Sequence, residues 1–187
     1  MPVRRPLGLP TVVLAGRPNV GKSTLFNRIT RTRRSIVTAI AGTTRDVIEE
    51  PAAWLDAQFR LVDTGGMFGA STDPLHELVV IQGQRALETA DVIVFVVDGR
   101  EGLVPADQEI AAHLRRAKVP VLLAVNKTDD KTAKGRLYEF HELGFDPVLE
   151  IAAEHGEGVG DLLDEVVGRL PARTEPGEDT SEEIADA

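Results

Sequence analysis

The most chemically informative stretch of the chain is a glycine-rich loop that ends in a lysine and a serine. Residues 16–23 read GRPNVGKS and fit the pattern G-x-x-x-x-G-K-[ST] at every position. In such a loop the backbone N–H groups surround a phosphate, the lysine contacts the outer phosphates and the hydroxyl binds Mg²⁺. We therefore expect phosphate and Mg²⁺ binding here. The residues predicted to take part are Gly16, Arg17, Pro18, Asn19, Val20, Gly21, Lys22, Ser23 and Thr24.

A second motif, Asp63-Thr64-Gly65-Gly66, directly follows a short apolar stretch. Because ligands of open α/β sheets bind at the carboxyl ends of strands, we expect Asp63 to lie beside the phosphate loop. A carboxylate in that place is typical of the second residue that holds Mg²⁺, and the Gly66 N–H can reach a terminal phosphate. A plain turn at the end of a strand is the alternative interpretation.

A third motif, NKTD, predicts which base the ligand carries. The carboxylate of Asp129 can accept hydrogen bonds from the ring N–H and the exocyclic amine of guanine, a donor pair that adenine lacks. Asn126 is predicted to tie this loop to the phosphate loop, and the stem of Lys127 to cover the base. A backbone N–H of Ala152 or Ala153 is predicted to contact the base oxygen.

The elements that must position these loops alternate between strands and helices. Strands are predicted at 11–15, 47–54, 59–62, 92–97, 119–125 and 148–151, and helices at 22–29, 74–90, 105–117, 132–142 and 159–170. Asp73 is the expected cap and Pro74 the first residue of the second helix. This order predicts an α/β fold: a mostly parallel six-stranded sheet with one antiparallel edge strand and helices on both faces.

Length and composition limit the class of protein. The chain has 187 residues, of which 42% are hydrophobic and 27% charged, and this predicts one domain. The expected parts are an irregular lead-in at 1–10, the domain at 11–171 and an acidic, disordered linker at 172–187. No apolar run approaches the roughly 18 residues of a membrane span, and the absence of cysteine excludes disulfides. We therefore expect a cytoplasmic protein without membrane partners.

The motif order GRPNVGKS, TTRD, DTGG, NKTD resembles the translation-factor-type GTPases. Within them the chain is most similar to the first GTPase domain of the Der (EngA) family of bacterial ribosome-assembly GTPases, with support from residues 54–66 and 86–110. The resemblance implies a P-loop GTPase domain that binds GTP and GDP with Mg²⁺, hydrolyses GTP slowly and contacts the large ribosomal subunit or its RNA. Der proteins carry a second GTPase domain, so the resemblance also implies further domains beyond Ala187 if the chain is a fragment.

Two alternatives to a Der-type enzyme remain open. Residues 41–46, AGTTRD, are equally similar to the tRNA-modification GTPase MnmE. Met67 stands where many GTPases carry a glutamine that orients the attacking water. The sequence is therefore also compatible with a nucleotide-gated binding module that has negligible hydrolysis.

A monovalent cation offers another way to accelerate hydrolysis. In related potassium-dependent GTPases, an asparagine at the position of Asn19 helps to bind K⁺ beside the phosphates. The resemblance implies that backbone carbonyls of Thr38 and Ile40 complete such a site. Thr44, with Thr43 as its rival, is the predicted switch residue that joins the Mg²⁺ shell when GTP is bound. The predicted catalytic residues are Asn19, Lys22, Thr44 and Gly66.

Overall fold

Six strands and five α-helices build the described part of the chain. The computed structural model describes residues 8–30, 47–71 and 73–172. The strands are β1 (Thr11–Ala15), β2 (Ile48–Trp54), β3 (Ala57–Asp63), β4 (Val92–Asp98), β5 (Val121–Asn126) and β6 (Val148–Glu150). The helices are α1 (Lys22–Thr30), α2 (His76–Thr89), α3 (Pro105–Leu114), α4 (Lys131–Lys134) and α5 (Val159–Arg169). A 3₁₀ helix covers Leu137–Leu143.

The strands form one sheet in the order β2-β3-β1-β4-β5-β6. Neighbouring strands pair in parallel except β2 and β3, which form an antiparallel hairpin at one edge. Every residue of β1 and β4 is buried, which explains why these strands are almost continuously apolar. The predicted α/β fold with a single antiparallel edge strand is confirmed.

Helices cover both faces of this sheet, as predicted. Leu14 of β1 belongs to a core cluster under α1 and α5, which contribute Leu25 and Leu162. Its neighbour Val13 points to the other face and packs in a second cluster with Leu114 of α3. Alternate residues of one strand therefore pack against helices on the two opposite faces of the sheet. Burial of each large apolar side chain stabilises the fold by about 1.5–3 kcal/mol.

Two helix predictions are wrong in detail. The helix expected to begin at Pro74 begins at His76, because Asp73 forms a local turn instead: its Oδ1 accepts a hydrogen bond from the Leu75 N–H at 3.0 Å. The helix expected over 132–142 is divided into α4 and the 3₁₀ helix. Gly135 ends α4, and the following turns close through tighter bonds three residues apart, such as Arg136 N–H to Ala133 O at 3.0 Å.

Smaller boundary errors have local causes. α3 ends at Leu114 rather than at 117, and the Ala117 N–H bonds back to the Leu114 carbonyl at 3.0 Å in a tight turn. β5 begins at Val121, one residue after Pro120, which has no N–H for the sheet. The predicted lead-in and acidic linker lie largely outside the described residues and stay predictions.

Candidate nucleotide-binding site

The phosphate loop joins β1 to α1 in a conformation that requires glycine at two of its positions. Gly16 has φ +151° and Gly21 has φ +103°. A Cβ on Gly16 would lie 2.3 Å from the carbonyl oxygen of Val96, and one on Gly21 would lie 2.2 Å from Nδ2 of Asn126. Neither position has room for a side chain. Asn19 adopts a left-handed φ of 67°, which asparagine tolerates better than most residues.

Lys22, the first residue of α1, holds its ammonium inside the loop. The residue is 5% exposed, and Nζ donates to the carbonyl oxygens of Gly16 at 3.0 Å and Arg17 at 2.8 Å. Burial lowers the pKa of Lys22 to about 8, although the nearby charge of Asp63 acts in the opposite direction. A cation is therefore placed at the carboxyl end of β1, where phosphates are expected.

The two predicted Mg²⁺ ligands in the described residues are Asp63, at the end of β3, and Ser23, in the first turn of α1. Asp63 ends β3 and is 5% exposed, and its Oδ1 accepts a hydrogen bond from the Gly65 N–H at 2.9 Å. Burial raises the pKa of Asp63, and Gly65 and Lys22 offset only part of that effect. A bound cation would stabilise this buried carboxylate. Ser23, exposed at the start of α1, offers a hydroxyl oxygen, so the donor set fits Mg²⁺.

The loop after Asp63 is fixed against β1 and the phosphate loop. Thr64 is fully buried, and its hydroxyl donates to the Leu14 carbonyl at 2.9 Å. A Cβ on Gly69 would lie 2.8 Å from Cγ of Pro18, so the two loops pack closely. Gly66 lies between these contacts, and a Cβ built on it would have no neighbour within 4 Å. The structure thus leaves room beside Gly66 for a ligand.

Met67 packs beneath α2. The side chain is 5% exposed, and a Cβ on Gly83 would lie 2.4 Å from Sδ of Met67. The residue that replaces the water-orienting glutamine of many GTPases is therefore part of the contact with α2.

Asn126, the last residue of β5, joins the two ends of the candidate site. It is 3% exposed, and Nδ2 donates to the carbonyl of Val20 at 2.9 Å, which is the predicted tie to the phosphate loop. Its Oδ1 accepts a hydrogen bond from the Ala153 N–H at 3.0 Å. One buried amide therefore holds the phosphate loop and the loop after β6 together.

Lys127 bonds directly to the phosphate loop and also to a carboxylate that sequence reasoning missed. Its Nζ donates to the Asn19 carbonyl at 3.1 Å and to Oδ2 of Asp98 at 2.7 Å. Burial alone would raise the pKa of Asp98, but hydrogen bonds from Lys127 and from the N–H groups of Glu101 and Arg100 outweigh it and lower the pKa. The sequence feature that could have identified Asp98 is its place at the end of the apolar strand β4, at the sheet edge where ligands bind.

Asp129, the predicted guanine reader, lies at the surface beside a histidine. Its side chain is 40% exposed, and Oδ2 lies 3.2 Å from Nε2 of His155. The preceding residue, Thr128, donates through its hydroxyl to the carbonyl of Ile151 at 2.9 Å. The predicted base-reading motif and the loop after β6 are thus in direct contact.

The N–H groups of Ala152 and Ala153, predicted to contact the base oxygen, have acceptors within the protein. The Ala152 N–H donates to the Glu157 carbonyl at 2.9 Å, and the Ala153 N–H donates to Asn126. Their contact with a base oxygen stays a prediction. Spacing alone does not reveal these acceptors, because they depend on how the loop folds back.

Arg17 is directed to α3. Its Nε donates to Oδ1 of Asp107 at 2.8 Å and its Nη2 to Glu101 at 3.0 Å. Asp107 is fully buried, and its other oxygen accepts from the Val104 N–H at 3.2 Å at the start of α3. Burial raises the pKa of Asp107 and Arg17 opposes that rise. The phosphate loop is therefore connected to a third helix by an ion pair that the sequence motifs do not predict.

The remaining predicted site residues, Thr38, Ile40, Thr43 and Thr44, lie outside the described residues. The K⁺ carbonyls and the switch threonine therefore stay predictions. Within residues 8–30, 47–71 and 73–172, no group of three or more histidines or carboxylates could hold a metal ion.

Comparison with known proteins decides the family. The model of a family described as 50S ribosome-binding GTPase matches residues 11–127, a span that runs from β1 to the lysine of NKTD. The chain belongs to this family. Within the 50S ribosome-binding GTPase family it is similar to the GTPase Der of Natranaerobius thermophilus, with 53% identity over 161 residues that cover 86% of this chain and 36% of that protein. The predicted resemblance to Der is confirmed.

Solved structures of the GTPase Era have the same fold. An Aquifex aeolicus Era variant bound to GDP·AlF₄⁻ has a TM-score of 0.77 at 32% identity, covering 88% of this chain and 58% of that one. Era in complex with MgGDPNP and part of 16S ribosomal RNA has a TM-score of 0.78 at 32% identity, covering 90% and 59%. The chain spans well under half the length of the curated relatives it matches.

Proposed function

We propose that this domain binds GTP and GDP with Mg²⁺, hydrolyses GTP, and uses the nucleotide state to control contact with the large ribosomal subunit or its RNA. The observation that supports it best is the convergence of three motifs on one sheet edge. Asn126 of the base-reading motif is bonded to the phosphate loop at Val20, and the charges of Lys22 and Asp63 interact there. Family membership and the resemblance to Der support the ribosomal role.

The proposed roles follow from these positions. Lys22 contacts the outer phosphates and stabilises charge on them during hydrolysis. Ser23 and Asp63 would hold Mg²⁺, which neutralises phosphate charge when bound. Gly66 donates its N–H to the terminal phosphate. Asp129 accepts from guanine.

Direct titration tests the predicted preference for guanine nucleotides. Calorimetry in Mg²⁺ should show that GDP binds at least about 10³-fold more tightly than ADP, because ADP leaves the Asp129 carboxylate without its donor pair. Equal affinities would contradict the proposal. Asp129→Asn should reduce the preference and Asp130→Asn, at the cap of α4, should not.

A K⁺ ion beside the phosphates is the proposed substitute for the missing glutamine. Asn19 is exposed and its carbonyl accepts a bond from Lys127, and Met67 lies beneath α2. GTP turnover should be at least about tenfold faster in KCl than in NaCl at equal ionic strength, and Asn19→Ala should lose that difference. Equal rates in the two salts would exclude this role.

A binding module without significant hydrolysis is the second candidate, and the buried position of Met67 favours it. A single-turnover assay with excess domain and K⁺ separates the two: release of phosphate within the assay supports an enzyme, and intact GTP supports a module. Cosedimentation with 50S subunits in GDPNP and in GDP tests the ribosomal contact, with nucleotide-dependent binding as the expected result.

The proposal places the protein in the cytoplasm. Among the described helices, none combines the length and apolar character that crossing a bilayer requires. Cell fractionation with a tagged chain provides the test, and recovery in the membrane pellet after a high-salt wash would contradict this location.

A further inference from the structure

We infer that Arg28 positions the loop at residues 152–158, here called the base loop, and thereby sets guanine selectivity without contacting the nucleotide. The inference rests on the proposed guanine site. Arg28 lies on the exposed side of α1, six residues after Lys22, and belongs to none of the nucleotide-binding motifs. Its side chain nevertheless reaches across to the loop that follows β6.

The guanidinium of Arg28 holds two consecutive carbonyl groups. Its Nε donates to the Ala153 carbonyl at 2.6 Å and its Nη2 donates to the Glu154 carbonyl at 2.6 Å. Hydrogen bonds from a charged donor are stronger than those between neutral groups. The planar fork of arginine presents two parallel donors, whereas the ammonium of a lysine is a single point of contact. Arginine therefore fixes the course of the backbone as well as its distance.

Asn126 holds the same loop from the other side. Both polar backbone groups of Ala153 are engaged, the N–H by Asn126 of β5 and the carbonyl by Arg28 of α1. Because the C=O and N–H of a trans peptide point in opposite directions, fixing the Ala153 carbonyl also fixes the direction of the Glu154 N–H. Two peptide planes of the base loop are thus prevented from rotating.

The base loop is shaped to receive this side chain. Gly156 has φ +79°, and a Cβ at that position would lie 3.0 Å from Nη1 of Arg28. A larger residue would therefore push the guanidinium away from the two carbonyls. This close approach shows that the loop and Arg28 are fitted to one another.

Movement of the base loop would alter the surroundings of the proposed base reader. The loop carries His155, whose Nε2 lies 3.2 Å from Oδ2 of Asp129. The same loop follows Ile151, the acceptor of the Thr128 hydroxyl. Arg28 therefore connects the helix that begins with Lys22 to the residues around the guanine-reading carboxylate.

The test compares GDP and ADP binding to Arg28→Gln. Competition with a fluorescent GDP analogue in Mg²⁺, at a temperature where circular dichroism shows a folded domain, gives both dissociation constants. We expect GDP affinity to fall by about tenfold or more, since two charge-assisted bonds are lost, and ADP affinity to change by less than about threefold. Arg28→Lys, which keeps one contact, should give an intermediate ratio of the two affinities.

Arg115→Gln is the matched control. Arg115 also uses its guanidinium to hold a backbone carbonyl, with Nε donating to Leu143 O at the end of the 3₁₀ helix at 3.1 Å, but it directly follows α3, on the opposite face of the sheet. This variant should lower the melting temperature and keep the wild-type ratio of GDP to ADP affinity. Unchanged ratios in both Arg28 variants would overturn the inference, as would an equal fall in both affinities. Absence of guanine preference in the wild type would instead overturn the proposed function.

Discussion

The phosphate end and the base end of the candidate site are built differently. At the phosphate end the backbone itself forms the site, and Lys22 and Asp63 are each 5% exposed. At the base end the Asp129 side chain is 40% exposed, and side chains from distant elements, such as Arg28 and Asn126, hold the surrounding loop. Damage to the phosphate end should therefore abolish binding of any nucleotide, whereas damage to the base end should change which nucleotide binds.

The largest effect is expected from Gly21→Ala. The new Cβ would collide with Asn126 and force a left-handed φ on alanine, so GDP and ADP affinity should both fall by about 100-fold or more. Isothermal titration measures both. Gly168→Ala is the matched control, because nothing lies within 4 Å of its Cβ position in α5, and it should add about 0.5–1 kcal/mol of stability. Loss of GDP binding alone in Gly21→Ala would contradict the comparison.

Asn126→Ala tests the connection between the two ends. It leaves the Val20 carbonyl and the Ala153 N–H without their partner, which should lower the free energy of unfolding by about 2–4 kcal/mol. GDP affinity should fall by about 30-fold and ADP affinity by less, because the base loop is released as well as the phosphate loop. Urea unfolding and titration measure the two quantities. Gln108→Ala, an exposed amide on α3, should change neither.

Asp98→Asn tests the lysine that spans the two ends. Because the folded-state pKa of Asp98 lies below its ordinary value of 3.8, its contribution to stability is complete above pH 3.8 and is lost only as pH falls through the folded pKa. The substitution should lower the free energy of unfolding by about 1–2 kcal/mol, and this decrease should be the same at pH 7 and at pH 4.5. Urea unfolding at both pH values checks this. A deficit that shrinks between them would contradict the pairing with Lys127.

The smallest effect on catalysis is expected from Met67→Gln. Since position 67 packs against Gly83, a glutamine there should change GTP turnover by less than about threefold. It should lower the free energy of unfolding by about 1–3 kcal/mol, because an amide is buried. Met67→Leu, which conserves volume, should cost less than about 1.5 kcal/mol. A large gain in turnover with glutamine would show that this side chain reaches the phosphates after all.

The same contrast explains what the sequence can predict. The phosphate end depends on eight consecutive residues, so glycine, lysine and serine identify it directly. Arg28 and Ala153, by contrast, are 125 residues apart, and Arg17 and Asp107 are 90 residues apart. No local pattern marks such pairs, because they depend on how α1, α3 and the last loop pack.

The fold, too, was predictable where the signal is local and not where it depends on tertiary packing. Continuous apolar runs predicted β1, β4 and β5, which are covered on both faces of the sheet. β2 has no such run, because it lies at the edge and most of its residues are not buried. The start of α2 was misplaced because an aspartate before proline stabilises a turn as readily as it caps a helix, and Asp73 does the former. The 3₁₀ helix after Gly135 depends on tertiary packing of Phe140 and Leu143, which periodicity does not distinguish from an α-helix.

The margins of the sheet restrict how other macromolecules can recognise the domain. On one side β2 carries Glu49, Glu50 and Pro51 in succession, and on the other β6 is three residues long. A strand with charges and a residue that lacks an N–H is a poor template for backbone pairing, and so short a strand offers few bonds. Neither edge strand is therefore suited to pairing with a strand of another protein, and we expect binding partners to contact side chains on the loops and helices instead.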